Sequence, residues 1–205
     1  IKASGKIGFG IFIQDFDNVS WNTNGIFQVN TTLNGKLSFG YQFDTFSFDE
    51  NKYVNALIDY EVYKTQKIRI QKLFSKRYYP LSILKTDENL GVISVNSNEN
   101  KTYKVEVSDF HGNLLKINIP IVYSSEPITI KEISKNNKYF IKAKRETIFS
   151  LNNVTVTFPE NTFYEDFPLN FDVKNETVYL HQDIIALQNS FKLSIEDTIS
   201  SEKDR

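Results

Sequence analysis

Short runs of alternating apolar and polar residues, separated by turn-forming residues, are the feature that most constrains the fold of this chain. Alternation of period two places one side of a strand in a core and the other side in solvent. After residue 126 these runs recur about every ten residues, a spacing that is typical of β-sandwiches. The runs are ITIKEI, YFIKAK, VTVTFP, LNFDV, TVYL and FKLSI. The sequence therefore predicts a mainly β fold.

Two hairpins are predicted in the part of the chain that precedes these runs. Asn34-Gly35 lies between two alternating segments, and this dipeptide is the strongest short-range hairpin signal because both residues tolerate a positive φ. The turn His111–Asn113 joins two further alternating segments. Ser124–Pro127 has the composition of a linker. We therefore predict two consecutive β-sandwich (Ig-like) modules, residues 1–125 and 126–205, the second ending in a frayed polar tail.

One segment of the first module has the spacing of a helix rather than of a strand. Ser47 and Glu50 match a capping box, in which the first residue caps the helix N-terminus and the second bonds back to it. The apolar residues that follow recur at helical spacing. They are Tyr53, Ala56, Leu57 and Tyr60. We predict one inserted α-helix over about residues 49–63.

Composition excludes several classes of protein. The formal net charge is −1, so that no overall field attracts nucleic acid or anionic lipid. The absence of cysteine removes disulfides, thiol nucleophiles and thiolate metal sites. The sequence contains no run of about 18 apolar residues, which argues against a membrane-spanning helix. Because the chain begins with Ile1 and contains no methionine, we expect it to be one part of a longer, exported protein.

The sequence carries no recognisable catalytic or metal-binding motif. His111 and His181 are its two histidines, and neither belongs to a His-x-His or His-Glu-x-x-His pattern. The sequence also lacks a Gly-x-Ser-x-Gly elbow, and we interpret both histidines as structural. Carboxylate pairs that meet only in the folded chain stay open as an alternative. The loop Asp15–Asn18 lacks EF-hand spacing, and we interpret it as a turn rather than as a Ca²⁺ site.

The strongest candidate for a binding surface is a basic and aromatic segment between Gln66 and Tyr79. Its cationic and aromatic residues are Lys67, Arg69, Lys72, Lys76, Arg77, Tyr78 and Tyr79. Such residues form binding surfaces for acidic or glycan partners. The alternative interpretation is the solvated face of a strand, which we predict over Ile68–Phe74. We expect any affinity for a glycan or for the cell wall to depend first on Tyr78 and Tyr79.

Several segments resemble one family of enzymes. They are SGKIGFGI at Ser4–Ile11, FSFDENKYVNALIDYEVY at Phe46–Tyr63, RIQKLF at Arg69–Phe74, YKVEVSDFHGN at Tyr103–Asn113 and VTVTFPENTFYEDF at Val154–Phe167. Together they resemble the region that follows the catalytic domain in lysostaphin/LytM-type zinc metallopeptidases of Bacteroidetes and flavobacteria. The resemblance covers most of the chain, and the segment from Phe46 to Phe74 carries its most specific part.

The resemblance implies an enzyme of the cell envelope that cuts peptide cross-links in peptidoglycan with one Zn²⁺, held by two histidines and an aspartate. None of those ligand motifs can be placed on this sequence, so that we expect zinc only in an upstream catalytic domain and no cofactor in this chain. The expected function is a non-catalytic accessory region in the periplasm or cell envelope, which positions the catalytic domain, binds peptidoglycan or docks an envelope protein. The alternative is a stand-alone envelope module, such as a glycan-binding protein or a subunit of an outer-membrane assembly.

Overall fold

The structure is a computed structural model, and it describes residues 1–16, 23–45, 47–97, 99–126 and 138–196. The chain divides into two compact units, Ile1–Ile130 (unit 1) and Lys131–Arg205 (unit 2). Strands dominate the described part of both units, so that the predicted mainly β fold class is confirmed. The Ig-like description of the modules and the predicted boundary at residue 126 stay predictions.

Unit 1 is built around one six-stranded sheet. Its strands are β1 (Lys2–Ala3), β2 (Gly5–Ile7), β3 (Gly10–Ile11), β4 (Asp15–Phe16), β5 (Thr23–Asn24), β6 (Gln28–Leu33), β7 (Lys36–Gln42), β8 (Gln71–Lys72), β9 (Leu84–Thr86), β10 (Ile93–Val95), β11 (Lys101–Ser108) and β12 (Leu114–Tyr123). The six-stranded sheet has the order β1-β12-β11-β6-β7-β9, and only the β1–β12 pair in it is parallel. The other strands form the short ladders β2–β10, β3–β8 and β4–β5. The turn that we predicted at Asp15–Asn18 lies largely outside the described residues.

Both predicted hairpins of unit 1 are confirmed. Asn34 and Gly35 join β6 to β7 with φ values of 50° and 81°, as a two-residue hairpin turn requires. Asn34 also bonds to β11, because its N–H donates to the Thr102 carbonyl and its Oδ1 accepts from the Thr102 N–H, each at 2.8 Å. In the β11–β12 turn, the Asp109 carboxylate accepts hydrogen bonds from the Asn113 side chain (2.6 Å) and backbone (2.8 Å), and these bonds lower the pKa of Asp109.

One face of the six-stranded sheet forms the core of unit 1. Along β11, Tyr103, Val105 and Val107 are buried, whereas Lys104 and Glu106 between them are partly exposed. This is the period-two pattern that was read from the sequence. The buried face packs against Ile93 of β10 and Ile11 of β3, which belong to the same hydrophobic cluster. The short ladders thus close the core opposite the sheet.

The prediction of a single helix over residues 49–63 is wrong. The chain instead forms a 3₁₀ turn (Phe48–Glu50), helix α1 (Asn51–Val54), a second 3₁₀ turn (Asn55–Leu57) and helix α2 (Tyr60–Gln66). Ile58 is extended and bridges to Gln71, and Asp59 accepts a hydrogen bond from the Val62 N–H (3.1 Å) as the N-cap of α2. The Asp59 N–H also donates to the Ile70 carbonyl (3.0 Å), so that pairing with a distant segment interrupts the helix.

The predicted capping box forms only in part. The Ser47 Oγ accepts a hydrogen bond from the Asp49 N–H at 3.2 Å, as an N-cap does. The Glu50 carboxylate does not accept the reciprocal hydrogen bond from the Ser47 N–H. It accepts from the N–H (3.0 Å) and the hydroxyl (2.7 Å) of Ser82 instead. Glu50 therefore ties the helical segment to the chain that follows the basic and aromatic segment.

A tight loop before β10 also bonds to the basic and aromatic segment. Asp87 Oδ1 accepts from the Gly91 N–H (3.1 Å), and Asp87 Oδ2 accepts from the Ser38 hydroxyl (3.1 Å) of β7. Leu90 and Gly91 have positive φ values of 54° and 79°. The Leu90 carbonyl then accepts from the Ser75 N–H (2.8 Å). The loop thereby connects the sheet to the segment that contains the candidate surface.

The described part of unit 2 is built mainly of short antiparallel strands. They are β13 (Tyr139–Ile141), β14 (Thr147–Leu151), β15 (Val154–Phe158), β16 (Phe167–Leu169), β17 (Phe171–Lys174), β18 (Thr177–Leu180) and β19 (Lys192–Ile195). They form the ladders β13–β16, β14–β15–β19 and β17–β18. Asn152 lies in the β14–β15 turn, and Asn175 and Glu176 form the β17–β18 turn; all three residues have positive φ.

The predicted strand runs of unit 2 differ from the observed strands in two places. The run LNFDV is divided, because Leu169 ends β16 and Phe171 begins β17. Strand β14 was not among the predicted runs. The run ITIKEI and the polar tail after Glu196 lie outside the described residues.

The core of unit 2 is aromatic. Phe158 is 2% exposed, and its ring lies 5.2 Å from that of Phe163, 5.3 Å from that of Phe191 and 6.5 Å from that of Phe149. These distances are typical of favourable ring pairs. Among the described residues of the whole chain, no helix is long and apolar enough to cross a membrane.

Candidate functional site

The basic and aromatic segment begins where α2 ends. Lys67 adopts a left-handed conformation (φ 60°), and its N–H donates to the Tyr63 carbonyl at 3.0 Å, which terminates the helix. The chain then turns back, so that the Arg69 guanidinium lies over the Tyr63 ring, 5.6 Å from its centroid. The exposed side chains of Arg69 and Tyr63 therefore form a cation–aromatic pair at the end of α2, and the Lys67 side chain is exposed as well.

The strand predicted over Ile68–Phe74 is much shorter in the structure. Only Gln71 and Lys72 form a strand, β8, which pairs with β3. Gln71 is anchored from the sheet, because the Tyr41 hydroxyl donates to its Oε1. Lys72 is half-buried in this strand. The middle of the segment is therefore part of the packed structure and separates the two ends of the predicted surface.

Buried and exposed residues alternate from Leu73 to Ile83, although this stretch is not a strand. The buried residues all have odd numbers, and they are Leu73, Ser75, Tyr79, Leu81 and Ile83. Tyr79 is 3% exposed, its ring lies 5.9 Å from that of Tyr53, and the Arg77 guanidinium lies 4.9 Å from its centroid. Tyr79 is therefore a core residue, and its predicted place on a ligand surface is corrected.

Tyr78 has the opposite environment, with 72% of its surface exposed. Lys76, two residues earlier, is exposed as well. The backbone between them is held by Ser75, whose hydroxyl donates to the Arg77 carbonyl at 2.5 Å. The structure thus reduces the predicted surface to two groups, one around Arg69 and Tyr63 and the other around Lys76 and Tyr78. Ligand binding at either group stays a prediction.

Two aromatic residues of this region were missed by the sequence reasoning. Tyr63 was assigned to the helix, and its contact with Arg69 depends on the reversal of the chain at Lys67, which no local pattern indicates. Phe48 is 98% exposed in the 3₁₀ turn that Ser47 caps.

The two histidines lie in different units and have local contacts. The His181 Nδ1 accepts a hydrogen bond from the Asn170 N–H (3.2 Å), and the backbone N–H of His181 donates to the Asn170 carbonyl (2.7 Å). Burial lowers the pKa of His181, which favours the neutral ring that this bond needs. The His111 ring packs edge-on against that of Phe110. In the described ranges, no three His, Cys, Asp or Glu residues are grouped so as to hold a metal ion.

Two buried tyrosines have raised pKa values. Burial raises the pKa of Tyr103 to about 12, and it raises the pKa of Tyr41 further. Both phenols are therefore protonated near neutral pH. Their positions in the core of unit 1 give them packing and anchoring roles, as the bond from Tyr41 to Gln71 illustrates.

Comparison with known families places one resemblance on unit 2. A family model described as a Zu5-like domain matches residues 138–205. No curated protein matches the chain. The candidate surface of unit 1 lies outside the matched residues.

Proposed function

We propose that the chain is a non-catalytic accessory region of a cell-envelope zinc metallopeptidase that acts on peptidoglycan. In this proposal the region works in the periplasm or cell envelope, where it docks the enzyme on the wall or on a partner protein and positions the catalytic domain. Zinc and its ligands belong to a separate catalytic domain, and we assign no step of hydrolysis to this chain. The resemblance at Phe46–Phe74 supports the proposal, because this segment contains one of the two groups, that of Arg69 and Tyr63.

The observation that carries the proposal is the exposure of Tyr78 on a well-held backbone. Its ring is 72% exposed, whereas its neighbour Tyr79 is buried and anchors the chain in the core. A residue whose neighbouring backbone is already held in place loses little backbone freedom when a ligand packs against its ring. Tyr78 is therefore suited to be an anchor of a binding surface.

The chemistry of peptidoglycan fits this surface. Its sugar rings have apolar faces that pack on aromatic rings, and its peptide stems carry carboxylates that attract cations. Lys76 near Tyr78 in the chain, and Arg69 over Tyr63, offer both kinds of contact. The cationic side chains are exposed, so that we expect their contribution to weaken at high salt.

Co-sedimentation of the full chain with insoluble peptidoglycan tests the proposal. Tyr78→Ala should lower the affinity about fivefold or more, as the loss of an aromatic anchor does. Tyr179→Ala is the matched control, because Tyr179 is 56% exposed but lies on β18 of unit 2. Tyr79→Ala would not serve, since it removes a core side chain. Equal binding by wild type and Tyr78→Ala would contradict the role of this surface.

A second experiment separates the accessory region from the stand-alone envelope module. The sequence of the complete parent gene should encode His-x-x-x-Asp and His-x-His motifs upstream of this region. If it encodes neither, the peptidase proposal fails and the stand-alone module becomes the better explanation. The binding experiment keeps its meaning in both cases, because it tests the surface rather than the enzyme.

A further inference from the structure

Arg69 is an exposed arginine that stacks on a ring but forms no ion pair. Its guanidinium lies over the Tyr63 ring, 5.6 Å from the centroid. Within the residues that the structure describes, no acidic side chain pairs with it. Lys142 of unit 2, in contrast, pairs with Asp166 at 3.3 Å. The N–H donors of Arg69 therefore remain available to a group from another molecule.

The backbone on both sides of Arg69 is held by hydrogen bonds. On one side, the Lys67 N–H donates to the Tyr63 carbonyl at 3.0 Å. On the other side, the Ile70 carbonyl accepts from the Asp59 N–H at 3.0 Å. These bonds connect the chain at Arg69 to the helix that carries Tyr63. A ligand that binds Arg69 therefore orders little additional backbone.

The chemistry of a stacked guanidinium selects the kind of anion. Its contact with a ring face uses none of its five N–H donors, which point outward in the plane of the group. Two of these donors match the two oxygens of a carboxylate in a bidentate pair. An amide offers one oxygen and no charge. The arrangement of Arg69 over Tyr63 therefore favours an ionised carboxylate over an amide.

The charges around Arg69 in the chain also favour an anion. From Gln66 to Tyr79 the sequence contains five cationic residues and no acidic one. Lys67 is exposed, and in the described part of the chain it forms no ion pair. The carboxylate of Asp59 is engaged at the other end of α2, where it accepts the N-cap hydrogen bond. The local field is thus positive although the net charge of the chain is −1.

A purely structural role for these cations is the alternative explanation. Positive side chains near the C-terminus of a helix complement its dipole, and Lys67 is the C-cap residue of α2. Such a role needs a positive charge but no planar group with paired donors. A lysine at position 69 would fulfil it as well as Arg69 does. Replacement of Arg69 by lysine therefore distinguishes the two explanations.

We propose that Arg69, held over Tyr63, binds an ionised carboxylate of the peptide stems of peptidoglycan. This inference rests on the proposed function, because its ligand is peptidoglycan, and it adds the chemical group that is recognised. A carboxylate that has been amidated, or that has formed a peptide cross-link, no longer carries the charge and the second oxygen. The site therefore distinguishes stems with unmodified carboxylates from stems whose carboxylates are converted to amides.

Co-sedimentation of the full chain with two forms of insoluble peptidoglycan tests this inference. One form is native, and the other is treated with carbodiimide and ammonia, which convert carboxylates to amides. The wild type should bind the amidated form about fivefold more weakly or worse. Arg69→Gln should bind native peptidoglycan about fivefold more weakly than the wild type does. On the amidated form the two proteins should bind equally, because both changes remove the same contact.

Two further variants complete the experiment. Arg69→Lys keeps the charge but loses the paired donors, and it should bind native peptidoglycan at least about twofold more weakly than the wild type. Arg145→Gln is the matched control, because Arg145 is an exposed arginine of unit 2. It should bind each form as the wild type does.

Several results would overturn the inference. A structural role would make Arg69→Gln weaker by the same factor on both forms, or would leave Arg69→Lys equal to the wild type. Equal binding of the wild type to both forms would exclude a carboxylate, since phosphates survive the treatment. If Tyr78→Ala loses affinity while Arg69→Gln does not, this inference fails and the proposed function stands. If the wild type sediments with neither form, both fail.

Discussion

Replacement of Gly91 by alanine should destabilise unit 1 for two separate reasons. The backbone of Gly91 has a φ of 79°, which a residue with a side chain rarely adopts. An added Cβ would also lie 2.5 Å from the Leu73 carbonyl oxygen and 2.9 Å from the Phe39 ring. Because the closest atom is backbone, it cannot move aside as the end of a flexible side chain can.

Alanine substitutions at two other glycines distinguish the backbone strain from the steric overlap. At Gly35, which has a φ of 81°, an added Cβ would meet nothing within 4 Å, so that Gly35→Ala tests the backbone strain alone. Gly25 has neither a positive φ nor a neighbour within 4 Å, and Gly25→Ala is the neutral control. The left-handed conformation destabilises an alanine by about 1–2 kcal/mol. Overpacking adds about 1–3 kcal/mol, so that we expect about 2–5 kcal/mol for Gly91→Ala.

Urea unfolding of the full chain, followed by two-dimensional NMR, measures these free energies. The amide signals of Val29 and Val105 report on the central strands of unit 1. All three substitutions stiffen the unfolded chain in the same way, and this contribution cancels in their differences. If Gly91→Ala and Gly35→Ala lower the free energy of unfolding equally, the close approach of Gly91 to Leu73 has no energetic effect and the reasoning fails.

Two further predictions concern unit 2. Burial lowers the pKa of His181, so that the unfolded chain takes up a proton at this residue at a higher pH than the folded chain does. The contribution of His181 to stability is therefore complete above about pH 6.5 and falls as the pH drops through the folded pKa. His181 has a φ of 55°, and His181→Asn keeps a residue that tolerates this conformation. The stability of wild type relative to this variant should decrease from pH 7 to pH 5, and a constant difference would contradict the role of the histidine. Phe158→Ala should lower the free energy of unfolding of unit 2 by about 3–5 kcal/mol, measured by urea unfolding, whereas the exposed Tyr179→Ala should change it by less than about 0.5 kcal/mol. Similar losses in both variants would refute the assignment of Phe158 to the core.

The features that could be predicted from the sequence depend on neighbouring residues. Asn34-Gly35 specifies its hairpin because both residues accept the positive φ that the turn needs. The alternation along β11 was readable because the strand buries one face only. In both cases the physical cause lies within a few residues of the effect.

The helical segment shows why other features could not be predicted. Tyr53, Ala56 and Leu57 have helical spacing, and Ala56 and Leu57 are indeed buried. The helix breaks where Ile58 pairs with Gln71 and Asp59 bonds to the Ile70 carbonyl. Those partners are distant in sequence, and tertiary pairing overrides the local preference of the segment.

The placement of Tyr79 on the candidate surface was wrong for a reason that the sequence did contain. Tyr78 and Tyr79 were treated as one pair, although residues on opposite parities of an extended chain face opposite sides. The apolar residues Leu73, Leu81 and Ile83 share the odd parity of Tyr79. This alternation indicates that Tyr79 is buried and Tyr78 exposed. The contact between Arg69 and Tyr63, in contrast, depends on the chain reversal at Lys67 and required the structure.

The turns of this protein bear on how its sequence can vary during evolution. The chain has only eight glycines. Asn34, Asn152 and Asn175 nevertheless hold left-handed turn positions, which asparagine tolerates better than most other side chains. Asparagine and glycine are therefore interchangeable at Asn152 and Asn175 with little change in the backbone, whereas Asn34 also accepts a hydrogen bond from Thr102 through its side chain. Distant relatives can keep the same hairpins while their turn sequences diverge, and an alignment that scores Asn against Gly as a mismatch will underestimate their kinship.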